Sequence, residues 1–318
     1  MGGSRRQLGF ATTADEALAG IDLAGRVAVV TGASGGLGAE TARALAARGA
    51  EVILASRDQT RGARAAAAIR DATGNDAVHA ETLDLLDRAS IRAFAARLRA
   101  SHDALHILID NAGLMACPLA RSPEGWEAQL ATNHLGHFLL TGLLIPALIA
   151  GAPARVVVLS SAGHQRAPVD FDDLHWERRP YDKWAAYGQS KTANALFAVA
   201  LDRRLAPAGV RAFAVHPGAI ATDLSRHLTP EDIGPLLERV RTLAGGLKEI
   251  PAGAATSVWA ATAPELEGQG GLYLEDCSPS APVGTPGVTT GYMPYAVDPA
   301  LAERLWAVSE ELVGERFA

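Results

Sequence analysis

Tyr187 and Lys191 stand four residues apart in Tyr187-Gly-Gln-Ser-Lys191, a spacing that puts both side chains on one face of a helix. An ammonium beside a phenol favours the phenolate and draws the tyrosine down from its free value of about 10 toward working pH. A tyrosine so tuned gives a proton to a carbonyl oxygen or takes one from an alcohol. The pattern is common by chance and needs company. Ser160 and Ser161 supply it, at the end of the apolar run Arg155-Val-Val-Val-Leu-Ser160. Open α/β sheets bind ligands at the carboxyl ends of their strands, and a hydroxyl there can hydrogen-bond a reacting oxygen as charge develops. Asn133 falls inside the otherwise helical Gln129-Leu-Ala-Thr-Asn-His-Leu-Gly136. Mid-helix asparagine is mildly unfavourable, which hints at a task; a solvated side chain is the alternative.

A second group of residues suits a phosphate ligand. Thr31-Gly-Ala-Ser-Gly-Gly-Leu-Gly38 lies between a β-branched run and an amphipathic helix. Glycines at 32, 36 and 38 let the backbone turn tightly and approach a diphosphate, with free N–H groups of the next helix facing its charge. The spacing differs from G-x-G-x-x-G but does the same physical job. At the end of the second strand an acidic residue selects NAD and an arginine selects the 2′-phosphate of NADP. Here the chain reads Ala55-Ser-Arg-Asp58. Arg57 is the closer reader, so NADP(H) is favoured and NAD(H) stays possible. Asp58 is expected to cap the next helix.

These residues need a scaffold, and the chain alternates short β-branched runs with longer Ala/Leu helical patterns, the signature of βαβ units on a parallel sheet. Strands are expected at 26–30, 51–55, 77–83, 105–109, 155–160, 210–215 and 271–274. Helices are expected after the glycine turn and at 60–71, near 91–98, and at 123–150, 183–206, 230–246 and 251–262. The Pro/Ser/Gly-rich stretch from Ser278 to Thr290 reads as a surface loop that ties a C-terminal helix back. Residues 1–24 form a polar lead-in, and residues 25–318 read as a single domain.

Bulk properties exclude several classes. The chain has 318 residues, 48% hydrophobic and 20% charged, with a net charge of −6. It therefore has no basic footprint for nucleic acid or an anionic membrane. Cys117 and Cys277 are too few for a disulfide framework or a zinc site and read as free thiols. No segment looks long and pure enough to span a membrane; the most apolar, Phe138–Ala150, is interrupted by Pro146. The N-terminus lacks an apolar signal core, and Arg6 stands where myristoylation expects Ser or Thr. A cytoplasmic enzyme is the expectation.

Taken in order, the glycine turn, Asp84, Asn111-Ala-Gly113, Asn133, Ser161, Tyr187-x-x-Ser-Lys191 and Pro217-Gly218 followed by Thr222 resemble the short-chain dehydrogenase/reductase family over about residues 20–280. The resemblance implies a Rossmann-type, doubly wound α/β fold, with helices on both faces of about seven parallel strands in the order 3-2-1-4-5-6-7. It makes Tyr187 the acid/base. Lys191 would lower the pKa of Tyr187 and hold the nicotinamide ribose, Ser161 would orient the substrate oxygen, and Asn133 would hold a water linking Lys191 to solvent. It implies cofactor contacts from Gly32, Ser34, Gly36, Leu37, Gly38, Arg57, Asp84, Leu85, Asn111, Ala112, Gly113, Tyr187, Lys191, Pro217, Gly218 and Thr222, of which Asp84 and Leu85 would flank adenine. The branch it most resembles is the retinol-dehydrogenase and WW-domain-oxidoreductase-like group. Thr12-Thr-Ala-Asp-Glu-Ala-Leu-Ala-Gly-Ile-Asp22, Ala55-Ser-Arg-Asp58 and the long insertion from Gly163 to Ala186 carry that likeness. Asp110 departs from the asparagine often found there. No WW domain or membrane anchor precedes the expected core, so the branch alone does not imply retinoid or membrane work.

The insertion holds Asp170, Asp172, Asp173, His175 and Trp176; a solvated rim loop is expected there rather than a metal site. His134 and His137 read as helix-surface or core histidines, and residues 224–250 as a substrate lid. The expected activity is hydride transfer between NAD(P)(H) and a small-molecule carbonyl/alcohol pair. A non-catalytic NAD(P)-binding sensor or scaffold, and an epimerase or dehydratase on the same fold, are the alternatives. The family resemblance suggests a homodimer or homotetramer, and outward-facing helices can equally end a monomer.

Overall fold

The protein is described by a computed structural model covering residues 8–241, 246–287 and 290–317. The strands are β1 (Val27–Thr31), β2 (Glu51–Ser56), β3 (Val78–Thr82), β4 (Ile107–Asp110), β5 (Ala154–Leu159), β6 (Val210–His216), β7 (Leu272–Glu275) and β8 (Ser278–Pro279). They form one sheet in the order β3-β2-β1-β4-β5-β6-β7-β8. β1 to β7 are parallel, and β8 pairs antiparallel with β7. The expected order of seven strands is therefore extended by one two-residue strand. It lies at the start of the stretch read as a loop, where Asp276 and Cys277 take left-handed φ values of 50° and 54° and turn the chain back.

Two apolar layers flank the sheet. α1 (Ala14–Ala17), α2 (Gly36–Ala46), α3 (Gln59–Thr73) and α9 (Ile250–Thr262) cover one face. α4 (Arg88–Ser101), α6 (Gly136–Ala150) and α7 (Lys183–Leu205) cover the other. α5 (Ala128–Leu130) leads into α6, and α8 (Pro230–Arg241) lies outside these layers. α10 (Pro299–Val313) lies outside α7, with Trp306 packed edge-on to Phe138 at 4.9 Å between centroids. The central strands are buried on both sides, which explains their uninterrupted Val/Ile/Leu runs. Asp58 caps α3, its carboxylate accepting from Arg61 N at 2.9 Å, as expected.

The expected helix from 123 starts later. Ser122–Trp126 forms a turn with Gly125 at φ 87°, and Glu127 caps the helix through the N–H groups of Gln129 and Leu130. Residues Ala131–Leu135 form a π-turn between α5 and α6. The expectation that no segment reaches membrane-spanning length needs correcting: the continuous run Ala128–Ala150 has 23 residues and passes by length and composition. Most of it is buried between the sheet and its neighbouring helices, as suits a core helix. Cys117 and Cys277 are free and buried.

Candidate active site

A cavity of about 840 Å³ runs along the carboxyl ends of the strands. At one end lies the glycine turn. Gly32 has φ 67°, and a Cβ on it would stand 2.8 Å from Ala112 Cα; a Cβ on Gly38 would stand 2.6 Å from Asn111 Nδ2. Both glycines thus allow the turn to lie directly on Asn111-Ala112, and Asn111 donates to the Thr31 carbonyl at 2.7 Å. The cap position of α2 is Gly35, which puts no side chain of its own at the helix N-terminus; the Arg61 guanidinium lies beside it, 3.6 Å from where a Cβ on Gly35 would stand. This cradle fits a dinucleotide phosphate. Arg57 lines the cavity beside Ser56, and so does Arg61, whose guanidinium reaches Asp223 Oδ2 at 3.1 Å. Arg61 was not singled out from sequence; its signal is the i+4 spacing from Arg57.

Asp84 turns the chain after β3, its carboxylate accepting from Leu86 N at 3.0 Å, and it lines the cavity with Leu85. Pro217, Gly218 and Thr222 form the opposite wall. Gly218 has φ 97°, and its open side is filled by the stem of Lys248. The Lys248 ammonium is buried and meets Asp276 Oδ1 at 2.5 Å.

At the other end Tyr187 and Lys191 share one face of α7, each 4% exposed. Tyr187 and Ser161 both line the cavity and both lie against Gly163. Ser161 ends β5 and accepts from Gly163 N at 3.0 Å. Lys191 Nζ donates to the Leu159 carbonyl at 2.8 Å and lies 5.8 Å from the Tyr187 ring centroid. Burial pushes the Tyr187 phenol up to about 12, against the lowering effect of the nearby Ser161 side chain. Burial also brings the Lys191 ammonium down to about 7. The expected lowering of the phenol by its lysine is therefore not found in this chain by itself. The ammonium is turned toward a backbone carbonyl and holds its proton only weakly at neutral pH.

Every candidate residue lines this cavity except Asn133. That side chain is fully buried behind the wall: Oδ1 accepts from Leu114 N at 2.7 Å, and Nδ2 donates to Leu114 O at 2.9 Å and Ser190 Oγ at 2.8 Å. It lies in the π-turn, and its own carbonyl is met by His137 Nδ1 at 3.0 Å. His137 Nε2 meets Thr31 Oγ1 at 2.8 Å. Thr31 Oγ1 in turn accepts from Asn111 N and Ala112 N at 2.9 and 3.0 Å. His137 is therefore a core histidine, as expected, yet it links the glycine-turn strand to the asparagine turn. Burial lowers it to about 4, so it is neutral at neutral pH. The i+4 spacing from Asn133 is the one trace of this role in the sequence.

The insertion carboxylates are committed elsewhere. Asp170 accepts from Arg179 at 2.6 Å, and Asp173 accepts from the N–H groups of Glu177 and Arg178. Of the expected lid, Leu224, Ser225, Arg226, Leu228, Ile233, Gly246, Leu247 and Lys248 line the cavity; its residues 242–245 lie outside the described residues.

Comparison with known proteins agrees with this geometry. The short chain dehydrogenase pattern matches residues 26–172 and 174–233. A probable oxidoreductase of Streptomyces lividans is 48% identical over 294 residues, covering 90% of this chain and 97% of that protein. Retinol dehydrogenase 12 of Homo sapiens is 45% identical over 297 residues, covering 93% and 89%. Among solved structures, an uncharacterized protein from Mycobacterium paratuberculosis superposes with a TM-score of 0.73 at 37% identity, covering 97% and 99%. The NADP complex of RhlG from Pseudomonas aeruginosa gives 0.64 at 26% identity, covering 80% and 95%. With the glycine turn, the Tyr187–Ser161 pair and Lys191 on one cavity, the chain belongs to the short chain dehydrogenase family, in its retinol dehydrogenase branch, and is a nicotinamide-dependent oxidoreductase acting on a small molecule.

Proposed function

We propose that this enzyme moves a hydride between NADP(H) and the carbon of a carbonyl/alcohol pair, with Tyr187 as the acid/base. The observation that carries the reading is that Tyr187 and Ser161 stand side by side against Gly163, on the cavity that also holds the glycine cradle. When bound, the nicotinamide supplies the hydride in reduction and takes it up in oxidation. In reduction Tyr187 O–H gives its proton to the substrate oxygen as the C–H bond forms, and the phenolate regains a proton from solvent. A phenol held near 12 is protonated at neutral pH, the state that reduction needs. Ser161 O–H can hydrogen-bond the same oxygen as its charge grows. Lys191, which lines the cavity and is tied to the Leu159 carbonyl, would hold a ribose hydroxyl of the bound nucleotide.

Arg57 and Arg61 favour a 2′-phosphate, which bidentate guanidinium groups suit. Asp58, the competing ribose reader, is engaged as the cap of α3. The segment from 224 to 250 acts as the substrate lid. Its described residues bring Leu224, Leu228, Ile233 and Leu247 to the cavity, which Leu114, Met115 and Trp184 also line.

The test is Tyr187→Phe, assayed on a panel of carbonyl compounds and alcohols by NADPH absorbance. Turnover is expected to fall by about 10²–10⁴-fold, with NADPH still quenching protein fluorescence. Normal turnover by this variant would remove the acid/base assignment.

A further inference from the structure

His164 is fully buried three residues beyond Ser161, and the reaction as described makes no use of it. Its ring bridges two parts of the molecule. Nδ1 lies 2.6 Å from the Ser161 carbonyl and 3.1 Å from the Tyr273 hydroxyl. Nε2 accepts from Met293 N at 3.1 Å. A backbone N–H can only donate, so Nε2 is bare and the ring proton sits on Nδ1. The Ser161 carbonyl is its near acceptor. Burial lowers the ring's pKa and keeps this neutral form in place.

The His164 backbone and the next residue, Gln165, repeat the link. The His164 carbonyl accepts from the Tyr295 hydroxyl at 2.8 Å. Gln165 donates to the Gly291 carbonyl at 3.2 Å and accepts from Gly287 N at 3.0 Å. Thr290, next to Gly291, lines the cavity. One imidazole thus holds the backbone of Ser161 and, at its other nitrogen, the segment that follows Thr290 at the cavity edge.

We propose that His164 is a positioning residue: Nδ1–H fixes Ser161 for proton transfer, and Nε2 fixes the Gly291–Met293 segment that holds Thr290 at the cavity edge. The inference rests on the acid/base reading above. It assigns the two nitrogens to two kinetic parameters, because misplacing Ser161 weakens only the transition state, while loosening the cavity edge weakens substrate binding.

Two variants separate the nitrogens. His164→Asn keeps a donor near the Nδ1 position and loses the Nε2 acceptor; His164→Gln does the reverse. With NADPH and any active carbonyl substrate, H164Q is expected to lower kcat by about tenfold or more, as a misplaced group does. Under the same assay H164N is expected to keep kcat within about threefold of wild type and to raise the substrate KM. A third variant, Met293→Pro, removes the N–H without touching the ring. Its backbone φ of −73° already suits proline, and it should reproduce H164N. Wild-type kcat in H164Q, or an equal loss of kcat in H164N and M293P, overturns the proposal. If Y187F is inactive while H164Q is fully active, this inference alone falls; if Y187F is active, the reading beneath it falls.

Discussion

Gly163 lies against the ring of Tyr187 so closely that a Cβ on it would stand 2.6 Å from Cε1. The same glycine donates its N–H to Ser161 Oγ. One residue without a side chain therefore sets the distance between the two hydroxyl-bearing groups of the site.

Gly163→Ala is accordingly expected to push the Tyr187 ring along the cavity. A shift of well under an ångström at the proton donor should cost about tenfold or more in kcat, while the KM for NADPH stays at its wild-type value. Steady-state kinetics of the alanine variant with saturating NADPH would show it. Unchanged kcat would mean that the ring is free to give way without cost.

Asp110 gives a pH prediction of unusual sign. The carboxyl is completely buried at the end of β4; one oxygen accepts from Thr141 Oγ1 at 3.0 Å and the other has no partner. Burial raises it to about 8. The folded chain therefore holds this proton over a range in which the unfolded chain has lost it. Its contribution to stability is complete below the unfolded value near 3.8 and is lost as pH rises through 8. Asp110→Asn removes the titration. Urea unfolding of both proteins should show wild type losing ground to the variant between about pH 4 and 8, by up to about 1.4 kcal/mol per pH unit. A difference independent of pH would place a charged carboxylate at Asp110.

Arg61 is largely exposed, and its ion pair with Asp223 is a surface contact of little stabilising value. Arg61→Ala should leave thermal stability almost unchanged. It should weaken NADPH binding by about tenfold, the scale of one charge-assisted hydrogen bond, and leave NADH binding as it was. Fluorescence titration with the two nucleotides decides this, and equal weakening of both would exclude Arg61 as the phosphate reader.

The residues that touch in this site were legible to the extent that they follow one another along the chain. Tyr187 and Lys191 are one helical turn apart, and the glycines of 32–38 sit in a single strand–helix junction, so local periodicity places them. The core strands announced themselves through their unbroken apolar runs. His164 and His137 were not legible as partners, because each acts through residues brought in by tertiary packing: Met293 and Tyr273 for one, Thr31 for the other. The π-turn at Asn133 follows from an added residue per turn that no propensity encodes. β8 is two residues long and exists only because β7 offers it an edge. The environment of Tyr187 was only partly legible for a related reason. Spacing located a lysine on the same face, but the burial that raises the phenol comes from tertiary packing that spacing does not show.

α10 carries a consequence for the birth of the molecule. Trp306 and Phe317 close over Phe138, and Arg204 lies over the Trp306 ring at 4.2 Å. Pro299–Val313 leaves the ribosome after every element it touches. Until then the greasy outer sides of α6 and α7 stand bare while the sheet beneath them is already able to form. A nascent chain stalled just short of residue 299 would be a ready client for chaperones, and its quality control would turn on a single late helix docking.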